Sequence, residues 1–419
     1  MKLLKNKSLC WALYDWANSA FSTTVMAGFF PLFFSKFWSA GADPQLSTAQ
    51  LGLSIAISNT LVALMAPLLG SLSEKSSSKK SMMGFFVIVG ALSTLALAFI
   101  PKGEWASACF FYGLAVLGFN GSLVFYDAML PFVSGKRSPD EVSALGFSLG
   151  YLGGGLLFAV NILMTLYPSH FGLADATQAV QVSFIMVAVW WILFSGPLFL
   201  SIRESELGPK SQWEWRHLRA SLRDIAATLR DLRRFSNIFL FLAGYWLYID
   251  GVNTIIRMAV DYGVKIGLGS NGLIIALLIT QFVAFPATLV FGKAATRFGA
   301  KNSVLFGIFV YLGVVLWAYR MNTNLEFYGM AVVIGLVQGG VQAMSRSLFS
   351  QLVPAQREGE FFGFFNMVGK FGGILGPMLM SATGLYLGDS RAGVLSLAIL
   401  FIAGGALLLR VKTVTVPKA

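Results

Sequence analysis

The sequence predicts an all-α membrane protein: twelve transmembrane helices in two pseudo-symmetric six-helix bundles. Three observations lead there. Of the 419 residues 56% are hydrophobic and only 12% charged, and the mean hydropathy is +0.71, outside the range of ordinary soluble domains. Runs of about twenty apolar residues, each enough to cross a bilayer, recur along the whole chain. The first half of the chain also echoes in the second. Short segments of alternating hydrophobicity, the mark of an outer-membrane barrel, are not the pattern here.

The spans are expected at 11–36, 49–73, 82–101, 106–133, 143–167, 178–201, 237–262, 271–292, 302–320, 325–353, 361–387 and 391–410. Span one contains Asp15 and has no small-residue cleavage site, so it reads as a retained span rather than a signal peptide. Span two ends in the basic loop GSLSEKSSSKK. Span five carries Gly146, Gly150 and Gly154, small residues one turn apart that let helices approach closely. After span six comes the one long polar segment, 202–236. Within it Trp215, Leu218, Leu222, Ile225, Leu229 and Leu232 recur at spacings of three and four, an apolar stripe on a helix otherwise covered by arginines. Two readings stand for it: an interfacial helix on the cytoplasmic leaflet, or a linker packed on the protein's own inner face. Residues 1–201 then form one bundle, 202–236 the linker and 237–419 the second bundle.

Twelve spans put both termini on one side, and lysine and arginine choose it. Of the 31 such residues, 23 fall on the side of the termini and five on the other. By the positive-inside rule the termini are cytoplasmic. The net charge of +12 thereby faces an anionic leaflet and does not call for nucleic acid. Cys10 and Cys109 fall at opposite ends of the membrane, so no disulfide is expected.

The internal repeat is specific at one place. Trp11, Asp15 and Asn18 match Trp246, Asp250 and Asn253, all at one offset, in the first span of each half. GYLGGG from Gly150 matches GKFGGI from Gly369, and Gly70 opens a basic loop matched by Gly292. This layout, with Gly70, Glu74, Lys75, Lys79 and Lys80 in the span two–three loop, resembles the major facilitator superfamily. Glu74 stands for the usual Asp of its loop signature, and Ser76 and Ser77 for Gly.

Within that superfamily the chain resembles the "unknown major facilitator", or vacuole-effluxer-like, family. The segments that carry the resemblance are YDWANSAFSTTVMAGFFPLFF (Tyr14–Phe34), FYDAMLP (Phe125–Pro131), GYLGGGLL (Gly150–Leu157), DGVNTIIRMA (Asp250–Ala259), GLVQGGVQAMSRSLFSQLVP (Gly335–Pro354) and EFFGFFNMVGKFGGILGP (Glu360–Pro377). Asp127 departs from the Asn expected there. The resemblance implies a secondary transporter, with members linked to amino-acid release from yeast vacuoles, and a cavity lined by spans one, four, seven and ten.

Ionisable residues inside a membrane persist where they pair, line water or do work, since each costs about 2.5–3.5 kcal/mol at a helix centre on insertion scales. Here they are Asp15, Asp127, Asp250, Arg257, Asp261, Arg346 and Lys370. Asp250, Asn253, Arg257 and Asp261 follow one helical stripe; Asp15, Asn18 and Ser22 repeat it. Gln338, Gln342 and Ser345 share a face of span ten. The expected ligand set is Asp250 for a proton or ammonium, Arg257 with Lys370 for a carboxylate, and Asp15, Asn18, Asn253, Gln338 and Gln342 beside them. Asp127, Arg346, Glu74 and Lys75 are expected at an inner gate or in coupling.

The function expected is a proton-coupled transporter of an amino-acid-like zwitterion or organic anion, in the import or the efflux direction, in a bacterial inner membrane. A lipophile exporter and a non-transporting receptor are the alternatives. An enzyme is not expected: His170 and His217 lie in an outer loop and the linker, and no metal-ligand cluster or nucleophile motif occurs, so neither metal nor cofactor is implied.

Overall fold

A computed structural model describes residues 3–41, 43–75, 78–207, 215–230, 233–265, 270–321, 323–387 and 390–413. Side chains at 257–271 fall outside that description, so the expected roles of Arg257 and Asp261 lie there too. Every long element is helical. Among the described residues ten helices are long and apolar enough to cross a membrane: those of predicted spans two to ten, and span twelve.

The other two predicted spans are helical but interrupted. Span one runs as Lys7–Ala20, then in wider π-helical turns at Phe21–Phe29 and Phe34–Trp38 around a short α turn. Extra residues per turn widen the face a helix can present, and such bulges gather at functional sites. Span eleven breaks into Glu358–Phe371 and Leu375–Leu387. At the break Gly373 takes φ +117°, a conformation open to glycine and strained for other residues.

Two hydrophobic cores account for the two halves. One gathers Trp11 through Ile202, including Trp38, Trp191 and Phe184; the other gathers Ile238 through Val411, including Tyr248, Tyr311 and Phe401, and takes in Ala128 and Ala144 of the first half. Gly150 and Gly154 of span five lie so close to span one that an added Cβ would press on Ser19 and Thr23. Neither Cys10 nor Cys109 is in a disulfide.

The halves meet at the end that carries the described chain ends. There Gly70 of span two (Pro44–Lys75) and Gly359 of span eleven touch backbone to backbone; a Cβ on either would overlap the other's carbonyl. Glu74 accepts a hydrogen bond from the Gly359 N–H at 2.6 Å, and Lys79 lies 3.5 Å from Glu74 and 3.8 Å from Glu358. On the opposite flank, Asp140 of span five (Pro139–Leu166) accepts hydrogen bonds from Ser347 and Gln351 of span ten (Asn324–Leu352). Lys7 and Glu206 pair at 2.9 Å, clasping the start of span one to the end of span six; that pair and the Arg203 N–H hold the Glu206 carboxyl below its usual range.

The linker helix spans Trp215–Arg230. It touches both halves. Its Asp224 pairs with Lys75 of span two. Its Thr228 donates to Glu360 of span eleven at 2.6 Å and accepts from Arg357 at 2.6 Å.

Candidate functional site

Between the halves lies a chamber of about 410 Å³, a size usual for small-molecule sites. Its base is an ion triad. Arg346 of span ten lies 3.1 Å from Asp15 of span one and 3.1 Å from Asp127 of span four (Trp105–Ala128). Its Nε donates to Ser143 Oγ at 3.0 Å and Nη2 also donates to the Ser143 carbonyl at 3.1 Å. Four of the five guanidinium N–H groups are thus engaged. Asn366 of span eleven donates to the second oxygen of Asp127 at 3.0 Å. The guanidinium also lies over Trp11, Tyr126 and Phe147, at 4.8, 5.4 and 4.2 Å from their ring centres.

The local sequence explains why these groups fit. Gly146 leaves the space that Asp15 Oδ2 and Arg346 Nη2 fill; a Cβ there would meet both. Trp11 donates to the Tyr126 carbonyl at 2.9 Å and stacks on its ring, fixing the walls. All three charged residues are almost fully buried. The triad crosses the interface: Asp15, Asp127 and Ser143 belong to the first half, Arg346 and Asn366 to the second. Separating it would leave charges unpaired at low dielectric, costing about 3–5 kcal/mol for a buried pair. It therefore locks the halves together at this end.

Above the lock the chamber is mixed in polarity. Lys370 lines it, its Nζ 5.8 Å from the centre of the Phe119 ring. Neutral groups from both halves join: Asn18, Ser19, Ser22 and Thr23 from span one, Tyr151 from span five, Asn253 from span seven, Gln281 from span eight, Gln338 and Gln342 from span ten. Tyr151 donates to Gln342 at 2.7 Å, and Gln281 to Thr23 at 3.0 Å. The side-chain oxygens of Gln281 and Gln338 are buried with no hydrogen-bond partner among the described residues. A buried acceptor left unpaired costs about 1–3 kcal/mol, so these two oxygens are disposed to receive donors from a solute or water.

The structure brings together most of the expected residues and removes one. Asp15, Asn18, Asp127, Asn253, Gln338, Gln342, Arg346 and Lys370 all line the chamber. Asp250 does not. It is fully buried beside the break in span eleven, where it accepts from the backbone N–H groups of Ile374 at 3.1 Å, Leu375 at 3.0 Å and Gly376 at 2.7 Å. Thr254 adds a fourth hydrogen bond at 3.3 Å. Asp250 caps a helix N-terminus, where donors and dipole both favour a carboxylate. Asn253 donates to Gly372 O at 3.0 Å, holding the other side of the break. Glu74 is not among the chamber's lining residues; it accepts from the Gly359 N–H where spans two and eleven cross.

Ser143, Asn366, Tyr151, Gln281 and Asp140 are functional candidates that sequence reasoning passes over. For Asn366 a signal exists: it stands one helical turn before Lys370, on the same face.

These features meet in a known family. The family model described as vacuole effluxer Atg22 like matches residues 47–138 and 134–415. The chain belongs to the Atg22-like family. An uncharacterized transporter of the major facilitator type, YxiO of Bacillus subtilis, is 41% identical over 96% of this chain and 94% of its own. Autophagy-related protein 22 of Saccharomyces cerevisiae is 26% identical over 72% of this chain and 66% of its own. The human organic anion transporter MFSD10 superposes with a TM-score of 0.70, covering 97% of this chain and 99% of its own at 13% identity. This Atg22-like protein is thus an integral membrane transporter of the major facilitator type, not an enzyme.

Proposed function

We propose that the protein is a proton-coupled secondary transporter of an amino-acid-like zwitterion or small organic anion, working by alternating access. The observation that carries this is the Asp15–Arg346–Asp127 triad at the base of a solute-sized chamber. Both carboxylates line that chamber, so a proton arriving through it can neutralise either. Neutralisation removes an attraction that holds Arg346 across the interface. The lock therefore weakens as protons bind and tightens as they leave, coupling proton transfer to the opening of this end.

The lining supports the solute class. Lys370 offers a cation to a carboxylate, and the unpaired oxygens of Gln281 and Gln338 offer acceptors to an ammonium. Asn18, Asn253 and Gln342 add neutral contacts. Arg257 stays in the proposed set on its sequence position alone, one turn beyond Asn253 in span seven. Asp250 leaves the set, because its oxygens are committed to the span-eleven cap. With the termini cytoplasmic, as the basic side predicts, the protein is closed to the cytoplasm, and the family's effluxer description supports export.

The test is uptake into proteoliposomes of a labelled amino-acid mixture, with and without an imposed pH gradient, for the native chain, Asp127→Asn and Arg346→Gln. Gradient-driven uptake that both substitutions abolish, in folded protein, is the expected result. Uptake indifferent to the gradient would remove protons from the reading. Gradient-driven uptake unchanged in both variants would remove the triad.

A further inference from the structure

We propose that the linker helix Trp215–Arg230 is a membrane-surface anchor, seating an apolar edge and three arginines on an anionic lipid leaflet while its polar edge is bolted to both halves of the transporter. The helix has three edges. Ser221, Asp224 and Thr228 make the first, spaced by three and four. It faces the protein: Ser221 and Thr228 are buried, Asp224 pairs with Lys75, and Thr228 bonds Glu360 and Arg357. The second edge holds Leu222 and Leu229, two turns apart, with Leu218 and Ile225 on the same stripe. Leu222 and Leu229 remain 53% and 47% exposed, although the protein takes up Ile225. Beyond them Arg219, Arg223 and Arg230 form the third edge, all exposed.

Depth and charge identify what covers the open edges. The anchor points are Lys75, the last residue of the span-two helix, and Arg357 and Glu360, at the start of span eleven. Both mark one membrane boundary, so the stretch from Asp224 to Thr228 that joins them lies along that boundary. Span two itself carries a lipid-facing stripe of exposed Leu53, Ile57, Leu61 and Leu64 above this point. Exposed leucines at headgroup depth, bordered by arginines that no carboxylate bridges among the described residues, are complementary to acyl chains beneath anionic headgroups. A neutral partner surface would leave the arginines unanswered.

The experiment uses the full chain with Cys10→Ser and Cys109→Ser, and an environment-sensitive fluorophore on Leu222→Cys. It is reconstituted into vesicles of phosphatidylcholine alone or with phosphatidylglycerol, containing lipids spin-labelled near the headgroup. The inference expects the label to be quenched by these lipids and shielded from aqueous iodide, more strongly with phosphatidylglycerol. Each arginine near an anionic surface is worth roughly a fivefold change in occupancy. Combined Arg219→Gln, Arg223→Gln and Arg230→Gln should therefore return the quenching to its level in neutral vesicles or below. A folded protein whose label stays open to iodide in every vesicle would overturn the inference. So would shielding that needs no anionic lipid but grows with protein density, which would make the occupant a second copy of the chain.

Discussion

At the scale of single residues, Asp127 and Asp250 are both buried carboxylates in the membrane, and their partners give them opposite duties. Asp127 faces a cation that belongs to the other half, so its charge matters to a movement. Asp250 faces backbone N–H groups of its own half, so its charge matters to a fold. Asp250→Ala should lower the thermal midpoint of the purified protein by more than an ordinary cap loss of about 1–2 kcal/mol implies, because water cannot replace a fully buried acceptor. Asp250→Asn keeps an acceptor oxygen and should leave the pH dependence of transport in place, whereas Asp127→Asn should flatten it. A flattened profile in Asp250→Asn would return that residue to coupling. Arg346→Gln strands two buried carboxylates and should cost about 3–5 kcal/mol in the same melting assay. Adding Asp15→Asn and Asp127→Asn should recover most of that loss, since the three act as one unit; no recovery would mean Arg346 stabilises through its aromatic contacts alone. The charged members of the lock are legible in the sequence, because a charge inside an apolar run needs a reason. Ser143 and Asn366 carry no such penalty, and nothing in their spacing tells which span they face.

At the scale of elements, the interruptions matter most. A helical stripe reports which residues share a face, but not what abuts it. The stripe through Asp250 and Asn253 is real, yet Asp250 meets the broken end of span eleven, while Asn253 both bonds that break and lines the chamber, and GKFGGI reads equally well as close packing or as a break. In span one the repeat is likewise only partial: Trp11 is fully buried in the lock wall, while its counterpart Trp246 is 36% exposed. Ser19 joins the lining as the i+4 member of the stripe through Asp15, Asn18 and Ser22, whereas Thr23, in the wider turns from Phe21, lies off that stripe and lines the chamber too. The crossing of spans two and eleven tests the closed end directly. Gly70→Ala places a methyl against the Gly359 carbonyl, with backbone on both sides and no side chain to give way. The closed arrangement should lose population, and a cysteine at Ser350 should react faster with a membrane-impermeant maleimide added from the termini side. An unchanged rate would mean that the two helices part without cost.

At the scale of the molecule, closure is uneven between the two ends, and that unevenness predicts a motion. Near the termini, contacts cross between the halves on both flanks: Gly70 with Gly359, Glu74 with the Gly359 N–H, Asp140 with Ser347 and Gln351, and the triad between them. Toward the other end, in the outer half of span eleven, Leu385 and Tyr386 are 85% and 90% exposed. Two bundles joined by such a lock rock by alternating access only if opening at one end closes the other. Spin labels at Lys136 and Arg297, exposed on the termini side of the two halves, report one end; labels at Lys102 and Leu325 report the other. In a Cys10→Ser, Cys109→Ser background, pulsed electron-spin distances should change in opposite senses when Asp127→Asn removes the lock's charge: the first pair lengthens and the second shortens. Acidification of the native chain should do the same, because protons weaken the lock in the same direction. Distances that grow together would describe a protein loosening instead of rocking. Distances indifferent to both changes would mean that the triad holds the halves without deciding which end is open.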